Sequence, residues 1–369
     1  MRVVIDVTPL LVRSAGVKTY LYHWITALRR FPDSLSLSLY PRVDRVGPLR
    51  HDTSVLPPLE TWARFALLGF ARLGGARAAG WVAGRADVFH ASNLMRRAPR
   101  GLRVTATLHD LTSRLMPELH TASNVRADQD FFQWISRGAA RLIAVSRHAM
   151  EDAVRLLRVD PERIEVIYPG VADAFFAIPE QEVVPVRRLR GLDRPYALFV
   201  GTIEPRKNLD RLLDAWAGLS RSLREEFDLV VAGPPGWSSP STLARLSNAA
   251  GVRYLGYVAE SELPGLTAGA TLFVYPSLYE GFGLPVAQAM ACGVPVIASA
   301  VSSLPEIVGE AGLLVDPLST SEIRAAMQRL LLSPSLRVEL AAKARRRAAW
   351  FRWERAAAAS VGFFERAVS

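Results

Sequence analysis

The feature that most restricts this chain is an alternation. Short β-branched runs recur along its whole length, each followed by a helix-length amphipathic segment, and this rhythm predicts βα units with parallel sheets covered by helices on both faces. Candidate strands fall at 2–7, 35–40, 87–90, 103–108, 141–145 and 164–168, and a second series at 196–201, 228–233, 252–255, 271–275, 294–298 and 312–315. An α/β architecture of two Rossmann-like domains in tandem is implied. In such folds ligands bind beyond the carboxyl ends of the strands, so the expected site is the cleft between the domains, built from residues that follow strands.

The length of 369 residues also favours two cores over one. Between the two strand series lies 177–195, AIPEQEVVPVRRLRGLDRP, whose three prolines and charged second half read as a linker. The boundary is therefore expected near residue 180, giving an N-terminal domain over 1–180 and a C-terminal domain over 181–352. The remaining 353–369 predicts a terminal helix long enough to dock back on the first domain.

Composition excludes several classes. A single cysteine, Cys292, allows neither an internal disulfide nor a cysteine metal cage and suits a reducing, cytoplasmic compartment. The start, MRVVIDVTPLLV, reads as a buried strand and not as a signal peptide. No apolar run of about 20 residues is free of charge, so no spanning helix is expected. Residues 62–83 come nearest but are interrupted by Arg64, Arg72 and Arg77, a pattern that suits a helix lying on a membrane surface.

The net charge of +10 is unevenly placed. Residues 1–105 hold 16 basic and 6 acidic side chains, whereas 106–369 hold 29 of each. A positive first third can attract anionic lipid, a diphosphate-bearing acceptor or nucleic acid. Nucleic acid is not expected as a partner, because the aromatic and arginine cluster at 345–355 comes with no recognition motif.

Three strand ends carry chemistry. After the strand at 271–275 come Glu280, Gly281, Phe282 and Gly283, then Leu284 and Pro285 opening a helix that contains Gln288. Glycines let a ligand approach the backbone, and the N–H groups of the helix start suit a diphosphate. Glu280 can accept hydrogen bonds from sugar hydroxyls. After the strand at 196–201, Gly201 precedes Arg206 and Lys207, and Asn208 begins an amphipathic helix. Lys207 is one of three lysines against 42 arginines, which suggests that a compact ammonium is required there. The strand at 103–108 ends in His109 and Asp110. His120 receives no role. Asp128 and Asp130 have a metal-binding spacing, but the surrounding RADQDFFQWI reads as a helix face, so no metal site is expected. Position 286 is Val, so Gly281 and Gly283 start no dinucleotide fingerprint.

The run YPSLYEGFGLPVAQAMACGVPVIASA resembles the signature of the family-four retaining glycosyltransferases of the GT-B fold, in which two glutamates frame GFGLP. The resemblance implies that Glu280 contacts the donor sugar and that position 288 holds the ribose of the nucleotide. Gln288 replaces a carboxylate there and weakens ribose binding without removing the site. GTIEPRKNL matches the family's Arg–Lys pair for the donor diphosphate, placing Arg206 and Lys207 as catalytic cations. His109, in the HD motif, matches the histidine beside the reacting carbon. The stretch from His109 to Val154 is similar to the mannosyltransferase-type branch. Gly16 sits in a thinned version of the family's glycine-rich first loop, IYPGVADAFF resembles its hinge, and Val258 stands where the backbone meets the base.

The function so implied is transfer of a hexose, with GDP-mannose as leading donor, to a glycan or polyprenyl-diphosphate-linked acceptor in bacterial surface polysaccharide assembly. The family's front-face retaining mechanism needs neither metal nor cofactor. The enzyme would be cytoplasmic, at the inner face of the membrane through residues 1–105. Two other readings stay open: a degenerate GT-B protein that binds nucleotide sugar or glycan without turnover, and a GT-B phosphorylase or epimerase.

Overall fold

A computed structural model describes residues 1–73, 75–95, 101–176 and 178–369. Arg96, Arg97 and Arg100 of the basic first third, Gly74 of the 62–83 run and Ala177 of the expected linker lie outside the described residues. The chain forms two compact units, Met1–Gly170 with Trp353–Ser369, and Val171–Arg352.

The first unit is built on β1 (Arg2–Asp6), β2 (Ser36–Tyr40), β3 (Val88–Ala91), β4 (Arg103–Leu108), β5 (Arg141–Ala144) and β6 (Ile164–Val166). These pair in the order β2-β1-β3-β4-β5-β6, all parallel. The inner strands are apolar on both faces, as a parallel sheet covered by helices requires, and Val3, Ile5, Val88, Phe89, Leu142 and Ile143 are fully buried. Polar side chains buried among them include Asp6 and His90, whose ring nitrogens bond Thr105 Oγ1 and Thr107 Oγ1, each at 3.0 Å.

The helix Trp353–Val368 belongs to this unit. Ser360 Oγ accepts from Trp24 Nε1 at 2.9 Å, Arg366 pairs with Glu165 at 2.6 Å, and Phe363 and Phe364 are fully buried. Its apolar face is what the sequence spacing shows; its partner is a helix more than 300 residues earlier.

The second unit contains β7 (Tyr196–Val200), β8 (Asp228–Ala232), β9 (Val252–Tyr254), β10 (Leu272–Tyr275), β11 (Val296–Ser299) and β12 (Gly312–Val315). Their order is β12-β11-β10-β7-β8-β9, again parallel. All twelve strands have their ends within two residues of the stretches expected from sequence, and the tandem Rossmann-like α/β architecture is as the alternation implies. Strand order reverses between β7 and β10, and a doubly wound sheet takes its ligand at such a switch point.

One expectation needs correction. The supposed linker contains a helix, Glu180–Leu189, and the second unit begins at Val171. The helix Leu263–Ala268 and the residue that caps it offer two glycines at this surface. A Cβ on Gly265 would stand 2.7 Å from the Glu182 carbonyl oxygen, and one on Gly269 would stand 3.0 Å from a Val183 methyl. Arg190 then bonds both carboxylate oxygens of Glu262 at 2.9 Å. Prolines and charges suggest a linker, but glycines some eighty residues later provide the groove that holds a helix.

Candidate active site

Both loops that end the switch-point strands meet in the second unit. After β7, Pro205–Lys207 forms a single 3-10 turn, and Asn208 follows in the left-handed region at φ 59°. Asn208 Nδ2 donates to the carbonyl oxygens of Pro276 at 2.9 Å and Pro317 at 2.7 Å, fastening this turn to the loop after β10. The backbone reinforces the join, since Leu278 N–H donates to the Arg206 carbonyl at 2.8 Å.

At this junction Lys207 Nζ donates to Glu280 Oε1 at 2.6 Å and to the Tyr275 hydroxyl at 2.8 Å. Arg206 lies 3.1 Å from Glu280 Oε2 and donates to the Tyr279 carbonyl at 2.8 Å and to Glu204 Oε1 at 2.6 Å. Ser277 Oγ completes the shell of Glu280 Oε1 at 2.6 Å. Burial by itself would push the Glu280 carboxyl up; the Arg206 and Lys207 cations, with hydrogen bonds from Lys207 and Ser277, bring it down to about 2. Two cations and two carboxylates are thus locked together, Glu204, Lys207 and Glu280 buried and Arg206 partly exposed. Such a group can stay fixed while charge builds on a ligand, which is what stabilising a leaving group requires.

Beside it, Gly283 caps the helix Leu284–Ala291 at φ 90°, and a Cβ there would lie 2.5 Å from a Leu304 methyl. Only glycine fits without strain. The N–H groups of Gly281, Gly283 and Leu284 have no acceptor among the described residues, so this turn offers donors to an anion. Phe282 is not among them in side chain, because its ring turns inward and stands edge-on to Phe351 at 5.4 Å. Gln288 lies on the second turn of the helix, partly exposed, and its amide makes no hydrogen bond among the described residues. Gly201 ends β7 against β8; a Cβ on Gly233 would stand 1.9 Å from the Gly201 oxygen. Val258 is buried on the connection after β9.

The other expected residues belong to the first unit. His109 follows β4, its ring edge-on to Tyr20 at 4.8 Å, and surrounding burial lowers it to about 4 against the pull of Asp110, so it is neutral at pH 7. Asp110 Oδ1 accepts from Thr112 N–H at 3.0 Å and from the Thr112 hydroxyl, just ahead of the short helix Thr112–Leu115. Gly16 is the first residue of the helix Gly16–Leu28, and nothing lies within 4 Å of where its Cβ would be, so no contact in the chain demands glycine. Asp128 and Asp130 fall within the helix Ala122–Gly138, and no group of three His, Cys, Asp or Glu among the described residues is placed to hold a metal.

Comparison with known proteins decides the family. Residues 14–175 match the Glycosyltransferase Family 4 model and residues 182–347 match Glycosyl transferases group 1. O-antigen chain mannosyltransferase B of Escherichia coli is 35% identical over 267 residues, which are 71% of this chain and 70% of that protein. The chain belongs to the family-four glycosyltransferases. A second relative of this glycosyltransferase, the MMP alpha-(1->4)-mannosyltransferase of Mycolicibacterium hassiacum, is 30% identical over 90% of this chain and 85% of its own length. Among solved structures, Anabaena Alr3699/HepE in complex with UDP and glucose superposes with a TM-score of 0.76 at 18% identity, covering 99% of this chain and all of the other. This likeness speaks for the GT-B fold.

Four residues of the cluster in this glycosyltransferase carry no site role in the sequence reading, although Ser277 lies in the loop it marks out. Tyr275 and Ser277 lie on or just after β10, Glu204 precedes the Arg–Lys pair by two residues, and Asn208 was read only as a helix start. A carboxylate two positions before two adjacent cations is a signal that could have found Glu204. The hydroxyl of Tyr275 gives no such signal, because its partner Lys207 comes from a separate loop.

Proposed function

We propose that this glycosyltransferase transfers a hexose, mannose from GDP-mannose first, from a nucleotide diphosphate donor to a hydroxyl of a glycan or polyprenyl-diphosphate-linked acceptor. The observation that carries the reading is the Arg206–Lys207–Glu280 cluster at the switch point beside the amides of Gly281, Gly283 and Leu284, which have no acceptor among the described residues. A cationic pair next to such amide donors suits a diphosphate. Mannose is favoured by the two mannosyltransferase relatives, and surface polysaccharide by the O-antigen relative.

In this reading Arg206 and Lys207 stabilise the departing diphosphate, and the helix dipole at Leu284 adds to them. Glu280 orients the sugar. Both of its oxygens are held by cations and Ser277, which suits a fixed acceptor of sugar hydroxyls better than a displaceable nucleophile. Retention then follows the front-face course, in which the leaving phosphate helps deprotonate the incoming hydroxyl. Neutral His109 supports the sugar by hydrogen bonding, Gly16 and Val258 keep the binding roles that the family resemblance implies, and Asp110 and Gly201, at strand ends, are further substrate-binding positions. Donor charge is met by protein cations and amides, so turnover should proceed without metal or cofactor. Action at the inner face of the cell membrane fits a lipid-linked acceptor.

Transfer assays with GDP-mannose, UDP-glucose and related donors in excess EDTA, with anomeric analysis of the product, test the reading. Mannosyl transfer with retained configuration supports it; a metal requirement, or an inverted product, overturns it. The mannosyltransferase relatives favour transfer over phosphorolysis or epimerisation. The non-catalytic reading rests on Gln288 and predicts nucleotide binding with no transfer to any acceptor.

A further inference from the structure

The helices Pro58–Leu73 and Gly75–Ala83 of the first unit carry an apolar surface that faces solvent. Leu59, Trp62, Ala63, Ala66, Phe70 and Leu73 are all exposed, and at 3.6 residues per turn they fall within about 100° of arc. Trp62 is 73% and Leu73 90% exposed, unusual values for side chains of this size. On the second helix Trp81 stands edge-on to Phe70 at 6.1 Å, extending the surface, and the Arg42 guanidinium lies 4.0 Å over the Trp81 ring. The other side of Pro58–Leu73 is apolar too, with Leu67 and Leu68 half-buried and Ala71 buried. A helix apolar on both sides needs a second apolar environment.

The charge around this stripe selects the environment. From 58 to 85 the chain holds Arg64, Arg72, Arg77 and Arg85 against Glu60 alone. On the second helix Arg77 stands one turn before Trp81, and the Arg42 guanidinium lies over the Trp81 ring; exposed aromatics with arginines beside them suit the boundary between acyl chains and anionic headgroups. No helix among the described residues is long and apolar enough to cross a membrane, so the contact is with one face of the bilayer. We propose that the Leu59–Trp62–Phe70–Leu73 stripe, with Trp81, is the surface on which this protein lies on an anionic membrane. This deepens the lipid-linked acceptor reading, yet vesicle binding is measured without donor or acceptor, so the two can fail separately.

The test is co-sedimentation of the full chain with phosphatidylcholine vesicles, with and without phosphatidylglycerol. Its controls are the far-UV spectrum, the unfolding temperature and the state of association in solution. The chain should bind anionic vesicles. The variant Trp62→Ser/Phe70→Ser/Leu73→Ser, altered only at exposed positions, should lose about tenfold or more of its partition at any salt concentration while folding normally. Arg77→Gln/Arg85→Gln should lose about fivefold per arginine at low salt and little at high salt. Three results overturn the proposal: a wild-type chain that stays in the supernatant with anionic vesicles, a triple variant that binds as the wild type does, or a wild-type dimer that the triple variant converts to monomer, which would make the stripe an interface between two copies.

Discussion

Lys207 and Glu280 meet at 2.6 Å although 73 residues separate them in the chain. They meet because β7 and β10 are neighbours in the sheet, so the loops that end them share one edge. Asn208, reaching to Pro276, and Ser277, whose hydroxyl reaches the Arg206 carbonyl, hold that edge closed.

Lys207→Ala should lower turnover by about a hundredfold or more, the scale for removing one preorganised donor from developing charge. Steady-state rates at saturating donor check it. A rate within a few-fold of the parent would exclude Lys207 from the transfer step.

Gln288→Glu should tighten donor binding and raise the rate at low donor, since a carboxylate accepts two charge-assisted bonds from a ribose where the amide accepts one. Nucleotide titration by calorimetry, set beside transfer rates, reads this. Unchanged affinity would show that position 288 does not meet the ribose.

Asn208→Ala removes the donor that two buried carbonyls share and leaves an alanine at φ 59°. A loss of about 3 kcal/mol in denaturant unfolding is expected. A loss below about 1 kcal/mol would mean that water replaces the amide there.

Gly283→Ala should cost about 2 kcal/mol through its φ of 90° and the contact with Leu304. It should also weaken diphosphate binding, because the amides of this turn shift with the strain. Thermal unfolding with and without nucleoside diphosphate separates the two effects; a variant with unaltered ligand shift would deny the turn a phosphate role.

Acid should unfold the first unit through His90. Burial, with His109 nearby, lowers His90 to about 3, so the folded state resists a proton that the unfolded chain accepts near 6.5. The stability associated with neutral His90 is present above pH 6.5 and lost as pH falls toward 3, roughly 4 kcal/mol in all. Glu280, lowered to about 2, contributes stability above 4.5 that is lost between 4.5 and 2. In His90→Gln the slope of unfolding free energy between pH 6 and 4 should fall by about 1.4 kcal/mol per pH unit. Denaturant curves across that range give the slope, and an unchanged value would refute the assignment.

The sequence by itself determined the twelve strands, the two loops GTIEPRKN and EGFGLP, and the helix at 353–368. These follow from local rules: β-branched runs favour strands, glycine and proline punctuate, and apolar spacing marks a helix face. Strand order, and with it the pairing of Lys207 with Glu280, was decided by the tertiary structure. So were the bond from Lys207 to the Tyr275 hydroxyl and the helix at Glu180–Leu189 that the charge pattern disguised as a linker. Each depends on contacts between residues distant in the chain, whose energy no short window contains. The outward face of Leu59, Trp62, Phe70 and Leu73 is of the same kind: helical spacing sets these side chains in a line, and only packing of the rest of the first unit leaves that line in solvent.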